Sequence, residues 1–135
     1  MALNIKLLRD SFEVVATANP KFISRFYEIL FERYPRTKGM FPAGGQARQA
    51  EMLTGALVAV LDHLEDAPWL KATLGALGAK HVGYGVTREM YDWVGASLLA
   101  TLAEVAGPQW TPELQGAWGE AYSAIVSMML APRAS

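Results

Sequence analysis

Proline, glycine and threonine cut this chain into segments whose apolar residues recur every three or four positions, a spacing that only a helix turns to one side. The first segment runs from Ile5 to Ala16. Asn19-Pro20 then reads as an N-cap followed by proline at the first helical position, opening a second helix that continues to about Tyr34. Its stripe of Phe22, Ile23, Phe26, Tyr27, Leu30 and Tyr34 requires one buried face. Pro35 ends it; Arg36 to Phe41 reads as a short helical turn and Pro42-Ala43-Gly44-Gly45 as a loop. A third helix is predicted from Gln46 to Leu64, with Met52, Leu53, Leu57, Val60 and Leu61 inward, and a fourth from Pro68 to about Val82. Gly75 and Gly78 punctuate the fourth. Glycine inside a helix costs about 1 kcal/mol relative to alanine, so a closely packed backbone or a flat ligand is expected beside them. Gly83-Tyr84-Gly85 breaks the chain, Thr87 caps a fifth helix to Ala106, and Thr111-Pro112 starts a last one to about Leu130. The fold class is all-α with no strand, in a single domain spanning residues 1–135.

Composition removes several functions. Twelve Lys and Arg against thirteen Asp and Glu leave a net charge of −1, so no field of one sign points to a nucleic acid or a membrane surface as partner. The absence of cysteine excludes disulfides, thiolate metal sites, iron–sulfur clusters and thioether-attached haem. With only two histidines, His63 and His81, a three-His zinc site cannot form within one chain. Apolar stretches stop short of the roughly 18 residues of a membrane span, and the residues up to Glu13 carry charges in place of a signal-peptide core. A soluble, cytoplasmic protein is expected. Hydrophobic residues reach 52% while charged residues are 19%, a surplus that fits a cavity for an apolar cofactor, an oligomer interface or an excess of alanine. Monomer and homodimer both stay open.

Three features carry candidate chemistry. His81 closes the fourth helix with Leu74 and Leu77 on the same face; a histidine there commonly bonds a carbonyl and does nothing else. Gln49 and Leu53, four apart on the third helix, place an amide and an aliphatic group on one side. Tyr27 sets a hydroxyl on an apolar stripe, where it needs a partner once buried. Together, a Tyr and a Gln from two helices, a Phe in the loop between them and a His from a facing helix form a slot with one nitrogen ligand on one side and donors on the other. A planar haem with one axial His and an open sixth position asks for that arrangement.

At this point the sequence resembles the globins, and among them the single-domain bacterial globins and the globin domain of flavohaemoglobins. The stretch from Arg25 to Pro35 looks like that family's B helix and the start of its C helix, and Phe41, fourteen residues after Tyr27, matches the haem-stacking phenylalanine. Thirty-two residues separate Gln49 from His81, the family's interval between distal glutamine and proximal histidine. Leu53 matches the distal leucine, and Lys80-His81, Tyr91, Val94-Gly95, Leu98 to Leu102 and Ala117 to Tyr122 resemble the F, G and H helices. The resemblance implies a three-on-three helical sandwich around a non-covalent haem b with His81 as the iron ligand. Phe41, Leu53, Leu77, Lys80, Val86, Tyr91 and Val94 would line the haem with it. Two departures stand out: the chain stops at Ser135, where flavohaemoglobins continue into flavin and nicotinamide domains, and Arg133 stands where their proximal glutamate would be. Glu89 or Glu120 is a carboxylate that could reach Tyr91 or His81 instead.

The expected site binds O2, NO or another small haem ligand at a pentacoordinate or weakly hexacoordinate iron, with Tyr27 the first donor to bound O2 and Gln49 the second. The resemblance implies nitric oxide dioxygenation with an external flavin reductase; a gas sensor, or a reversible O2 or sulfide binder, is the alternative. The second His81 nitrogen needs an acceptor, for which a carbonyl one turn earlier is expected, helped by Tyr91. Lys80 and Arg48 are the expected propionate partners. His63 lies fourteen residues past Gln49, about 21 Å along the axis at 1.5 Å per residue, too far to ligate. Trp69, Trp93, Trp110 and Trp118 read as packing residues.

Overall fold

A computed structural model describes residues 4–40, 46–83 and 85–130. Six α-helices follow one another: α1 (Ile5–Ala18), α2 (Phe22–Arg33), α3 (Gln46–Asp62), α4 (Ala67–Gly83), α5 (Arg88–Ala106) and α6 (Pro112–Leu130). Short 3₁₀ segments occupy Pro35–Met40 and Gly107–Gln109. The described residues contain no strand, as the periodicity requires.

Local chemistry accounts for most helix ends. The Asn4 side chain accepts from the Leu7 N–H at 3.2 Å to cap α1, and Asp66 does the same for the Trp69 N–H of α4 at 3.2 Å. Asn19 behaves differently from its reading as the cap of α2. Its Oδ1 accepts from Lys21 N–H at 3.0 Å, its carbonyl accepts from Phe22, and its own N–H closes α1 on Val15. Asn19 therefore builds the turn between two helices, and α2 begins two residues beyond Pro20 with no side-chain cap. Thr87 does cap α5, with extended backbone angles.

Two pairings dominate the packing: α2 against α5, and α4 against α6. The larger core cluster gathers Leu8, Val15, Phe22, Phe26, Leu30 and Leu102, while a second one joins Val60, Leu70, Leu74, Tyr91 and Met129. Among the residues expected inward on α3, Met52 is a correction: it is 58% exposed, because it shares its side of the helix with exposed Glu51 and Gly55. Polar ties join the clusters. Arg9 Nε donates to the Leu61 carbonyl at 2.9 Å, so a side chain of α1 satisfies the carboxyl end of α3. Trp118 Nε1 donates to Ser11 Oγ at 2.9 Å, linking α6 to α1. Arg25 Nε and Nη2 reach the two Glu104 oxygens at 2.7 and 2.8 Å, and those hydrogen bonds hold the Glu104 carboxyl below the usual carboxylate range.

The close approaches expected beside the α4 glycines occur at only one of them. A Cβ on Gly78 would lie 2.0 Å from the Met129 carbonyl oxygen, whereas no atom of the described residues lies within 4 Å of one on Gly75. Leu102 is 1% exposed in the larger cluster and Val58 is 41% exposed on α3. Leu102→Ala should cost about 2–5 kcal/mol in urea unfolding, and Val58→Ala less than about 0.5 kcal/mol. Equal losses would contradict this core assignment.

Candidate functional site

His81 stands near the carboxyl end of α4. Its Nδ1 is 2.8 Å from the Leu77 carbonyl one turn earlier, so Nδ1 carries the proton and donates it to that oxygen. The imidazole lies over the buried Tyr91 ring of α5, with centroids 6.1 Å apart and planes at 26°. Leu77 and Val86 are half-buried against the cluster of Leu70, Leu74 and Tyr91. The carbonyl one turn earlier and Tyr91 are the partners expected for the histidine.

One member of this group went unrecognised in the sequence. Tyr122 Oη donates to the Tyr91 carbonyl at 2.6 Å, anchoring the α5 backbone to α6 behind the histidine. Gly95 makes room for it: a Cβ there would meet the Tyr122 ring at 2.5 Å. A glycine in mid-helix and a tyrosine on an apolar stripe were the signals, but nothing local pairs them. Burial raises the Tyr122 phenol well above its ordinary value, with the Tyr91 and Asp92 charges adding to the shift.

The other group sits on α2 and α3. Tyr27 is 8% exposed, and its hydroxyl donates to the Gln49 main-chain carbonyl at 3.5 Å. Burial pushes its phenol up to about 12. Its ring packs between Phe26 and Phe31, at centroid distances of 5.1 and 5.9 Å. Gln49 is half-buried, and Leu53 and Val94 pack partly buried against the larger core cluster. The structure thus joins Tyr27 to Gln49 and His81 to Leu77 and Tyr91.

Several other positions are settled. Lys80 and Arg48 are exposed, as are Glu89 and Glu120. Phe41 and Arg133 lie outside the described residues. His63 Nδ1 donates to Ala59 at 2.7 Å and its ring stacks on Trp69 at 3.8 Å, so it belongs to the turn between α3 and α4. Trp93 stacks on Tyr34 at 5.1 Å under the Arg36 guanidinium, and Trp110 Nε1 donates to Gln115, which are packing roles. No group of three or more His, Asp or Glu among the described residues could hold a bare metal ion, and no helix there is long and apolar enough to cross a membrane.

The buried phenols give stability a pH dependence. A phenol whose folded pKa is raised holds its proton longer in the folded state, so its contribution is intact below the ordinary value of 10 and falls as pH rises toward about 12. Stability should decline across that interval, and Tyr27→Phe should flatten the decline by on the order of 2 kcal/mol, with a remainder due to Tyr122. Urea unfolding at pH 9 to 12 measures it; an unchanged slope in Tyr27→Phe would place the decline elsewhere.

Comparison with known proteins adds the following. A family model described as Globin matches residues 24–129. The chain is 31% identical over 128 residues to the flavohemoprotein of Rhodopirellula baltica, covering 93% of this chain and 31% of that protein. It is also 31% identical over 125 residues to the flavohemoprotein of Rhizobium meliloti, covering 91% and 31%. It therefore spans about a third of the length of these curated relatives. Among solved structures, a bacterial globin from Campylobacter jejuni superposes with a TM-score of 0.79 at 26% identity, over 93% of this chain and 91% of that one. An engineered carbene transferase derived from a candidate nitric oxide dioxygenase of Rhodothermus marinus gives 0.79 at 29% identity, over 93% and 87%.

Proposed function

The chain belongs to the globin family, and from that premise we propose that it is a haem b protein that binds O2 and other diatomic gases and, given an external reductase, dioxygenates nitric oxide. The observation that carries this reading is the bond from His81 Nδ1 to the Leu77 carbonyl at 2.8 Å. It fixes the tautomer, so Nε2 is the nitrogen able to ligate, and it fixes the ring plane. A single imidazole suits a metal that arrives with its other donors, as haem iron does. Leu53, Leu77, Val86 and Val94, all part-buried, supply apolar surface for the macrocycle. With no cysteine in the chain the haem would be non-covalent.

Ferrous haem supplies O2 binding and the oxidation of NO by O2 to nitrate, which leaves ferric haem to be restored by one electron from an external donor. The residues contribute binding and orientation. Tyr27, buried and protonated, would donate a hydrogen bond to a gas bound by the haem, and the half-buried Gln49 amide would be the second donor. Lys80 and Arg48 are exposed cations suited to the propionates. On the opposite side a neutral carbonyl accepts the His81 proton, so the imidazole gains less anionic character than a carboxylate partner would give it. That favours gas binding over peroxide-type chemistry. The Rhodothermus marinus neighbour, a candidate nitric oxide dioxygenase, supports the dioxygenase reading, and the flavohemoprotein relatives support a flavin reductase as the external donor.

The purified chain supplied with haem should show a strong Soret band, and His81→Ala should lose the haem or hold it weakly with an altered spectrum. An unchanged spectrum and affinity in His81→Ala would show that another group is the ligand. Rapid mixing of the oxygenated protein with NO tests the reaction: nitrate formed in one fast turnover, repeating when a flavin reductase is added, is the expected result. Nitrate-free mixing would reduce the protein to a gas binder or sensor. Tyr27→Phe removes a hydrogen bond worth about 1.5–3 kcal/mol and should speed O2 release roughly ten- to a hundredfold in stopped flow. A change within about twofold would make Gln49 the principal donor.

A further inference from the structure

Among the described residues, the helix that carries His81 packs most closely on a single neighbour. α4 packs principally on α6, through a face of Leu70, Leu74 and Gly78 spaced four residues apart. At Gly78 the two backbones touch: an added Cβ would lie 2.0 Å from the Met129 carbonyl oxygen and 2.9 Å from its Cα. Real Cβ atoms do not come closer than 3.0 Å to such neighbours, so any side chain at 78 parts the helices by about 1 Å. One turn earlier, a Cβ on Gly75 would meet no described atom within 4 Å. The two glycines carry the same helical cost, and among the described residues the close backbone contact that demands it is at Gly78.

His81 follows Gly78 by three residues, less than one helical turn, and its ring is bonded to the carbonyl of Leu77, the residue before Gly78. Backbone seat and imidazole therefore form one rigid unit. Resting on the haem reading above, we infer that Gly78 is a positioning residue for the iron ligand: its missing side chain seats α4 against the Met129 carbonyl and so sets where His81 stands. Metal–nitrogen bonds tolerate errors of only about 0.2 Å, so a displacement of about 1 Å strains or tilts the bond.

Gly78→Ala, Gly75→Ala and Met129→Ala test this. Met129→Ala deletes a buried side chain yet keeps the carbonyl, so it reports a purely structural loss. In the ferrous, haem-loaded proteins, Gly78→Ala should shift or broaden the iron–His stretching band in resonance Raman spectra and speed haem transfer to apomyoglobin by about tenfold or more. Gly75→Ala should change neither. Met129→Ala should lower the melting temperature and leave the band in place. A wild-type band and transfer rate in Gly78→Ala overturn the inference, as does an equal shift in Met129→Ala. Should Gly78→Ala not fold, nuclear Overhauser contacts between Gly78 Hα and Met129 in the haem-loaded wild-type protein decide the matter: present they support it, absent they overturn it. A wild-type chain that takes up no haem overturns the haem reading and this role with it, whereas a normal Gly78→Ala on a haem-loaded background overturns this role alone.

Discussion

The seat of α4 on α6 is the contact on which the histidine side of the molecule depends. α4 presents Ala72, Ala76 and Ala79 to solvent together with Lys71 and Lys80, and it buries only Leu70, Leu74 and Gly78. A helix with so narrow an apolar face is held by how closely it can approach its neighbour, and the approach at Gly78 is backbone to backbone. α6 is fixed in turn. Trp118 ties it to Ser11 of α1, and Tyr122 ties it to the Tyr91 carbonyl of α5. α5 is locked to α2 by buried side chains and by the two-pronged Arg25–Glu104 pair. The position of His81 is thus referred, through α6 and α5, to the same core that holds Tyr27.

Much of this was legible because it is written locally. Pro35, Pro112 and the Gly107-Pro108 stop mark helix limits that the structure keeps to within a residue or two, since proline and glycine act on their own backbone. Tyr27 stood out as a hydroxyl on an apolar stripe, and His81 as an imidazole one turn from a carbonyl that could accept its proton. Other features depend on which neighbour arrives. Gly75 and Gly78 are indistinguishable in the sequence; what separates them is Met129, contributed by a different helix. Tyr122 had no visible partner because its acceptor is a main-chain carbonyl on α5. Asn19 and Met52 went astray for a smaller reason. A capping side chain can serve the turn as readily as the helix, and an apolar residue can fall just outside the buried arc.

The two sides of the site are held with unequal stiffness. His81 makes a short bond to a carbonyl of its own helix, on a backbone pressed against α6, so its ring has little latitude. Tyr27 makes a long bond of 3.5 Å to the Gln49 carbonyl, an oxygen that the α3 helix already engages through its own i to i+4 hydrogen bond. Turning the Tyr27 hydroxyl away from Gln49 therefore leaves that oxygen its helical hydrogen bond. The hydroxyl stays protonated throughout the physiological range, so it keeps a proton to donate when it does turn. In the haem reading, the iron ligand is set by backbone contact and the donor facing the gas is held by a bond weak enough to be redirected. Tyr27 bonds to Gln49 of α3 and His81 to Leu77 of α4, so substitutions on the two sides should act nearly independently, which lets gas affinity be tuned at Tyr27 without disturbing the seat of His81.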